Sequence, residues 1–258
     1  MSEATSPLKV WLERDDGLLR LRLARPKANI VDAAMIGALQ AALQAHLGAT
    51  SLRAVLLDAE GPHFSFGASV EEHLPGQCAE MLKSLHALIR VMLDSPVPIM
   101  VAIRGQCLGG GLEVAAAGNL LFATADAKFG QPEIRLGVFA PAASCLLPPR
   151  IGQSRAEDLL WSGRSIDGAD AHRIGLVDGL FDDPEAAALA WYDEHLAKLS
   201  ASSLRFAVKA ARGDLVEQIK QKLNTVEALY LGDLMASHDA VEGLQAFLEK
   251  RPANWENR

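Results

Sequence analysis

Near residue 130 the chain changes its rhythm. Before that point, apolar runs of strand length alternate with stretches of helical period; after it, nearly every apolar pattern is helical. LKVWLERDDGLLRLRL, residues 8–23, reads as two strands around an Asp-Asp-Gly turn. Asp32 precedes AAMIGALQAALQAHL in the place of a helix N-cap. RAVLLDAEG is a buried strand, residues 76–94 repeat apolar positions at helical spacing, and PVPIMVAIRG is a strand again. NLLFATADAKFG reads as one further strand. Helical segments then follow over about 152–162, 184–198, 201–217 and 219–249. Such a pattern predicts an α/β fold, with an alternating core over residues 1–195 and a helical C-terminal region over 196–258.

Composition narrows the function classes. A chain of 258 residues, half of them hydrophobic, can bury a large core. Its net charge of −7 speaks against nucleic acid or an anionic membrane as the main partner. No apolar run approaches the roughly 20 residues of a membrane helix, and MSEATSPLKVW lacks the basic end and apolar segment of a signal peptide. Cys78, Cys107 and Cys145 are odd in number and widely spaced, matching neither a disulfide framework nor a metal motif. Reduced thiols in a cytoplasmic protein are the expectation.

One segment carries a chemical signal. GQCLGGGLEVAAAG, residues 105–118, runs three glycines into an apolar helix with Glu113 in its first turn. It is not a phosphate loop, because Lys and Ser/Thr do not follow GxxxxG, and GxGxxG fails at Val114. GASVE, residues 67–71, is not the GxSxG elbow, and the histidines lack HExxH spacing. Two readings remain open for the glycines. They can form a tight strand-to-helix turn with an ordinary first-turn acid, or they can bring backbone N–H groups at a helix N-terminus close to an anion.

Further segments bear on that choice. RPKANIVD, FSFGASVEE, GQCLGGGLEVAAAGN, AKFGQPEIRLG and the terminal EGLQAFLEKRPANW occur in this order. Together the set resembles the crotonase (enoyl-CoA hydratase/isomerase) superfamily over essentially the whole chain. The resemblance implies a spiral of ββα units with a helical C-terminal region that assembles a homotrimer or homohexamer. It implies an acyl-CoA substrate and an oxyanion hole built from the N–H groups of Ala68 and Gly110. It also implies two catalytic glutamates, Glu113 and Glu133, as in the hydratases of the family. Lys27, Ala28, Val70, Pro141 and Lys250 are carried over as substrate-binding positions. No metal and no redox cofactor are expected, since the thioester is itself the electron sink.

The chain also departs from the family pattern. LGVFAPAAS replaces a glycine-rich segment, so Pro141, Ala143 and Ser144 stand where glycines are common. Proline has no N–H, so a backbone donor that helps hold the water is lost and the wall stiffens. Ser69 and Glu71 stand where Asp and Lys are common, and Leu231 where some members carry an aromatic. Arg25 joins Lys27 as a candidate phosphate partner. These departures argue against a generic short-chain hydratase and suit a flat ring protonated at a more distant carbon. A straight-chain hydratase, a ring-opening hydrolase and a non-catalytic RNA-binding member are the competing readings.

Overall fold

The structure, a computed structural model, describes residues 6–258; the first five residues of the stretch read above for a leader lie outside them. In chain order the elements are β1 (Leu8–Glu13), β2 (Leu18–Leu23), α1 (Ala33–His46), β3 (Ala54–Ala59), α2 (Cys78–Leu93) and β4 (Ile99–Ile103). Next come β5 (Gln106–Leu108), α3 (Gly110–Ala117), β6 (Leu120–Ala123), β7 (Lys128–Gly130), α4 (Pro141–Ile151) and α5 (Gln153–Ser162). β8 (Ser165–Asp167), α6 (Gly168–Arg173), β9 (Gly179–Leu180), α7 (Pro184–His195), α8 (Ala201–Gly232) and α9 (His238–Leu248) complete the chain.

Six strands form one sheet in the order β1-β2-β3-β4-β6-β9, antiparallel only between β1 and β2. Its inner strands β3, β4 and β6 read as near-continuous apolar runs because both their faces are covered. Leu19, Leu21, Val55, Leu57, Val101 and Leu121 point to one face and join the main core with α1, α2 and α3. Their alternating neighbours Leu18, Ala54, Leu56, Met100 and Phe122 pack against Ala188 and Tyr192 of α7. Each fully buried Leu or Val contributes roughly 1.5–3 kcal/mol. Arg20 and Asp58 share that second face, both buried, and Arg20 donates to Asp58 at 2.5 Å and to Glu185 of α7 at 2.6 Å. The burial of these charges is tolerated because they are paired.

A second sheet, β5-β7-β8, is smaller. Asp32 caps α1 as expected, its side chain accepting from the Met35 N–H at 3.0 Å. Residues 119–130 are two strands in different sheets, not one, with a turn closed by Ala127 N–H on the Thr124 carbonyl between them. β5, β8 and β9 span two or three residues and are too short to leave a periodic signal. Helix α4 lies ahead of the first helical segment expected, at about 152, and Pro148 and Pro149 inside it obscure its pattern.

The expected break near residue 218 does not occur. α8 runs unbroken for 32 residues, and Val216, Ile219 and Leu223 belong to the same core as the sheet. The break falls instead at Asp233, after which Ser237 caps α9. Among the described residues no helix is long and apolar enough to cross a membrane.

Candidate active site

Strand β5 brings the three motif segments together. On one side the Ser65 loop pairs with it: Ser65 N–H donates to the Gln106 carbonyl at 2.9 Å, and Leu108 N–H to the Ser65 carbonyl at 3.0 Å. On its other side lies β7, and Gly109 N–H donates to the Gly130 carbonyl at 3.0 Å. FGAS, GGGLE and QPE therefore converge at the N-terminus of α3.

The glycines are required there by space. Gly109 has φ +50°, and a Cβ on it would lie 2.6 Å from Glu133 Oε1. A Cβ on Gly110 would lie 3.0 Å from the Ala68 Cβ and 3.1 Å from the Ala68 nitrogen. One on Gly111 would strike Ser65. The backbones of residues 67–68 and 109–110 thus run in close approach. Among the described residues neither the Ala68 nor the Gly110 N–H has a protein acceptor. Gly110 opens α3, where the first N–H groups of a helix are unpaired and carry partial positive charge.

Glu113, in the first turn of α3, is 3% exposed. Its Oε1 accepts from the Ala143 N–H at 2.8 Å. Pro141 opens α4, where proline's missing N–H costs no helical bond, and the amides that follow point at Glu113. Here the stretch that departs from the family pattern serves as an anchor for a carboxylate. Glu133 sits half-buried in the Pro132–Leu136 3-10 turn, on the cavity side of the pair. Burial raises the Glu113 carboxyl above the ordinary carboxylate range, against the pull of the Ala143 and Ala142 amides. Burial also raises Glu133, and the neighbouring Glu113 charge raises it further. Two such groups do not both ionise readily, so the site retains a proton near neutrality. The buried Gln131 amide lies against both Glu133 oxygens and, with its nitrogen turned to them, donates at 3.1 and 3.0 Å.

A cavity of about 370 Å³ opens over these groups. Gly67, Ala68, Gly109 and Glu133 form its floor, and Val70, Leu136, Val138 and Leu244 an apolar wall, with Phe247 alongside. His73 also lines it; its Nδ1 lies 2.7 Å from the Ser69 carbonyl, and burial holds the imidazole below its ordinary pKa, hence neutral. Of the positions singled out from sequence, Ala68, Val70 and Glu133 line the cavity, with Gly110 and Glu113 directly behind. Pro141 is buried and not among the lining residues, two positions before the Ala143 whose N–H donates to Glu113. Lys27 and Lys250 are exposed and Ala28 half-buried, and none of the three is among the lining residues. Sequence reasoning missed Gln131, His73, Val138, Leu244 and Phe247. Only Gln131 carried a signal, as the neighbour of Pro132-Glu133.

The arrangement holds two backbone donors, two carboxyls sharing a proton and an apolar chamber. That set can stabilise an enolate oxygen while moving a proton to and from water.

The enoyl-CoA hydratase/isomerase family model matches residues 13–258. The chain is 82% identical over 258 residues to cyclohexa-1,5-dienecarbonyl-CoA hydratase of Thauera aromatica, with both chains covered in full. It is 34% identical over 252 residues to a probable enoyl-CoA hydratase of Bacillus subtilis, covering 94% of this chain and 96% of that one. Among solved structures, an enoyl-CoA hydratase/isomerase from Pseudoalteromonas atlantica superposes with a TM-score of 0.85 at 28% identity, covering 96% of this chain and 99% of that one. Matched by the family model from β1 to its last residue, and superposed on a solved member over nearly its whole length, the chain belongs to the enoyl-CoA hydratase/isomerase (crotonase) family.

Proposed function

We propose that this protein is a cyclohexa-1,5-diene-1-carbonyl-CoA hydratase, a hydro-lyase that adds water 1,4 to give 6-hydroxycyclohex-1-ene-1-carbonyl-CoA. The observation that carries this reading is the 82% identity over the full length of the Thauera aromatica enzyme. The presence of both glutamates at one cavity supports it.

In the reaction, the water oxygen bonds to the ring carbon β to the thioester. The displaced electrons pass to the thioester oxygen, which the Ala68 and Gly110 N–H groups receive. A fixed donor of this kind is worth roughly 3–4 kcal/mol. The dienolate then collapses, the double bond settles between the α carbon and its other ring neighbour, and a proton joins the far end of the former diene. We assign the base to Glu113, because the first amides of α4 favour its charged form. Glu133, on the cavity side and raised further by Glu113, holds the proton for carbon.

The 196–258 region is assigned to assembly of a trimer or hexamer, supported by the exposed Phe206, Leu215 and Leu229 on α8. Light scattering on the purified protein tests that assignment. The three buried, unpaired thiols support a cytoplasmic location.

The deciding experiment is turnover of the cyclic dienoyl-CoA in heavy water. Deuterium on the carbon para to the hydroxylated one marks 1,4-addition; deuterium on the α carbon marks 1,2-addition and overturns the mechanism. Turnover of crotonyl-CoA alone would return the protein to the straight-chain hydratases, and a ring-opened acid would point to the hydrolase. Tight, salt-sensitive RNA binding without turnover would favour the non-catalytic reading.

A further inference from the structure

Residues 250–258 turn back along α9 and are tied to it. Arg251 donates to both oxygens of Glu242, at 2.6 and 2.9 Å, and the Asn254 N–H donates to Glu242 Oε1 at 2.7 Å. Farther along, the Glu256 and Asn257 N–H groups donate to the two Asp239 oxygens, each at 2.8 Å. Both carboxylates belong to α9, so Trp255 is anchored on either side of itself. Its indole is 45% exposed, and the covered part lies over two glycines. A Cβ on Gly137 would lie 3.1 Å from Trp255 Cζ3, and one on Gly243 2.8 Å from Trp255 Cη2. The same two glycines are where α9 meets the turn that carries Glu133. A Cβ on Gly243 would stand 2.2 Å from the Leu136 carbonyl oxygen, and one on Gly137 2.6 Å from the Asp239 carbonyl oxygen. Helix and turn therefore touch backbone to backbone there, with the indole laid across the join.

Four residues beside this join line the catalytic cavity: Leu136 and Val138 flank Gly137, Leu244 follows Gly243, and Phe247 is one turn farther along α9. We propose that Trp255 is a positioning residue for substrate selection, which holds α9 against the Glu133 turn and so fixes the apolar wall at the width that grips a cyclic acyl group. Trp255 is not itself among the lining residues, so it acts through the wall and not on the substrate. Packed backbones pass on a displacement with little loss, because the interior has few voids to absorb it. Removing the indole leaves the join free to open, and a wall shifted by about 1 Å loosens a rigid ring more than a short flexible acyl chain. The inference rests on the hydratase reading for the ring; the link from Trp255 to the wall rests on the contacts themselves.

The test compares, by calorimetry, the binding of cyclohexanecarbonyl-CoA, which fills the acyl pocket with a ring, and of acetyl-CoA, which shares the rest of the molecule. Trp255→Ala is expected to weaken the first about tenfold and the second less than about twofold, and to lower kcat for the cyclic dienoyl-CoA about tenfold. Trp255→Phe keeps an aromatic ring over the glycines and should recover most of the affinity ratio, with Trp255→Leu between the two. These two variants carry the test on their own if the alanine variant fails to fold. Equal changes in both affinities across the series, or a lowered Tm with an unchanged ratio, would overturn the proposal, since either marks a structural role. So would a wild type that binds the two thioesters alike. A wild type that prefers the ring thioester, with the preference falling from Phe to Leu to Ala, sustains the positioning role; if it also turns over neither cyclic dienoyl-CoA nor crotonyl-CoA, the hydratase reading alone is defeated.

Discussion

The cavity has a floor and a wall of different origin. The floor comes from FGAS, GGGLE and QPE, segments within 66–133 that each carry a local signal. The wall comes from Val70 together with Leu136, Val138 and Leu244, and the last three look in sequence like any core position. Floor residues are chosen by the chemistry of single atoms, such as an N–H or a carboxyl oxygen, and by the absence of a Cβ. Wall residues are chosen by volume and shape, which many apolar side chains satisfy. We propose that the floor carries the chemistry and that the wall sets which acyl group fits.

The largest effects should come from breaking the floor. Glu113→Gln and Glu133→Gln are each expected to lower kcat by about 10²- to 10⁴-fold, with an unchanged circular dichroism spectrum. Full activity in either would remove the two-carboxylate mechanism. Gly110→Ala comes next. Its new Cβ, 3.0 Å from the Ala68 Cβ, must push the two backbone donors apart, and kcat measured at saturating substrate should fall by about 10²- to 10³-fold.

A smaller effect sharpens the electrostatics of the floor. The Glu133 carboxyl is raised in the folded protein, so the folded state binds more protons than the unfolded one once pH exceeds the ordinary Glu value of about 4.3. Its contribution to wild-type stability is therefore lost as pH rises toward the raised value. Glu133→Gln does not titrate, so calorimetry should show its Tm advantage over wild type widening from acidic to neutral and alkaline pH. A constant difference would mean that Glu133 is not raised. Smallest of all, Lys27→Ala and Lys250→Ala lie off the cavity and exposed to solvent. Each should raise KM for the thioester less than about tenfold, leaving kcat unchanged in steady-state assays, as for a screened surface charge. A large loss of kcat in either would bring that lysine into the floor.

Legibility followed the same division. Strands β1 to β4 and β6 of the large sheet, the Asp32 cap and the turn before α3 were readable because each obeys a local rule of period, cap or steric freedom. β5 was not, although it is the strand on which FGAS, GGGLE and QPE meet; three residues have no period. Nor could sequence show that Pro141 opens a helix whose next amides hold Glu113, since the partner stands 30 positions away. Read alone, the proline suggested only a lost donor. The gain of Ala143 as a donor to the carboxylate belongs to the packing of α3 against α4.

What the sequence determined by itself was the α/β alternation, the family and the residue types proposed to react, because these are properties of residue type, spacing and order. What the tertiary structure decided was which groups are buried together, which of the two carboxyls is held by helix amides, and that Trp255 lies across the join between α9 and the Glu133 turn. Those are matters of distance and exclusion of water between segments remote in the chain, and the physics that sets a pKa or seats one backbone on another acts only once those segments have met.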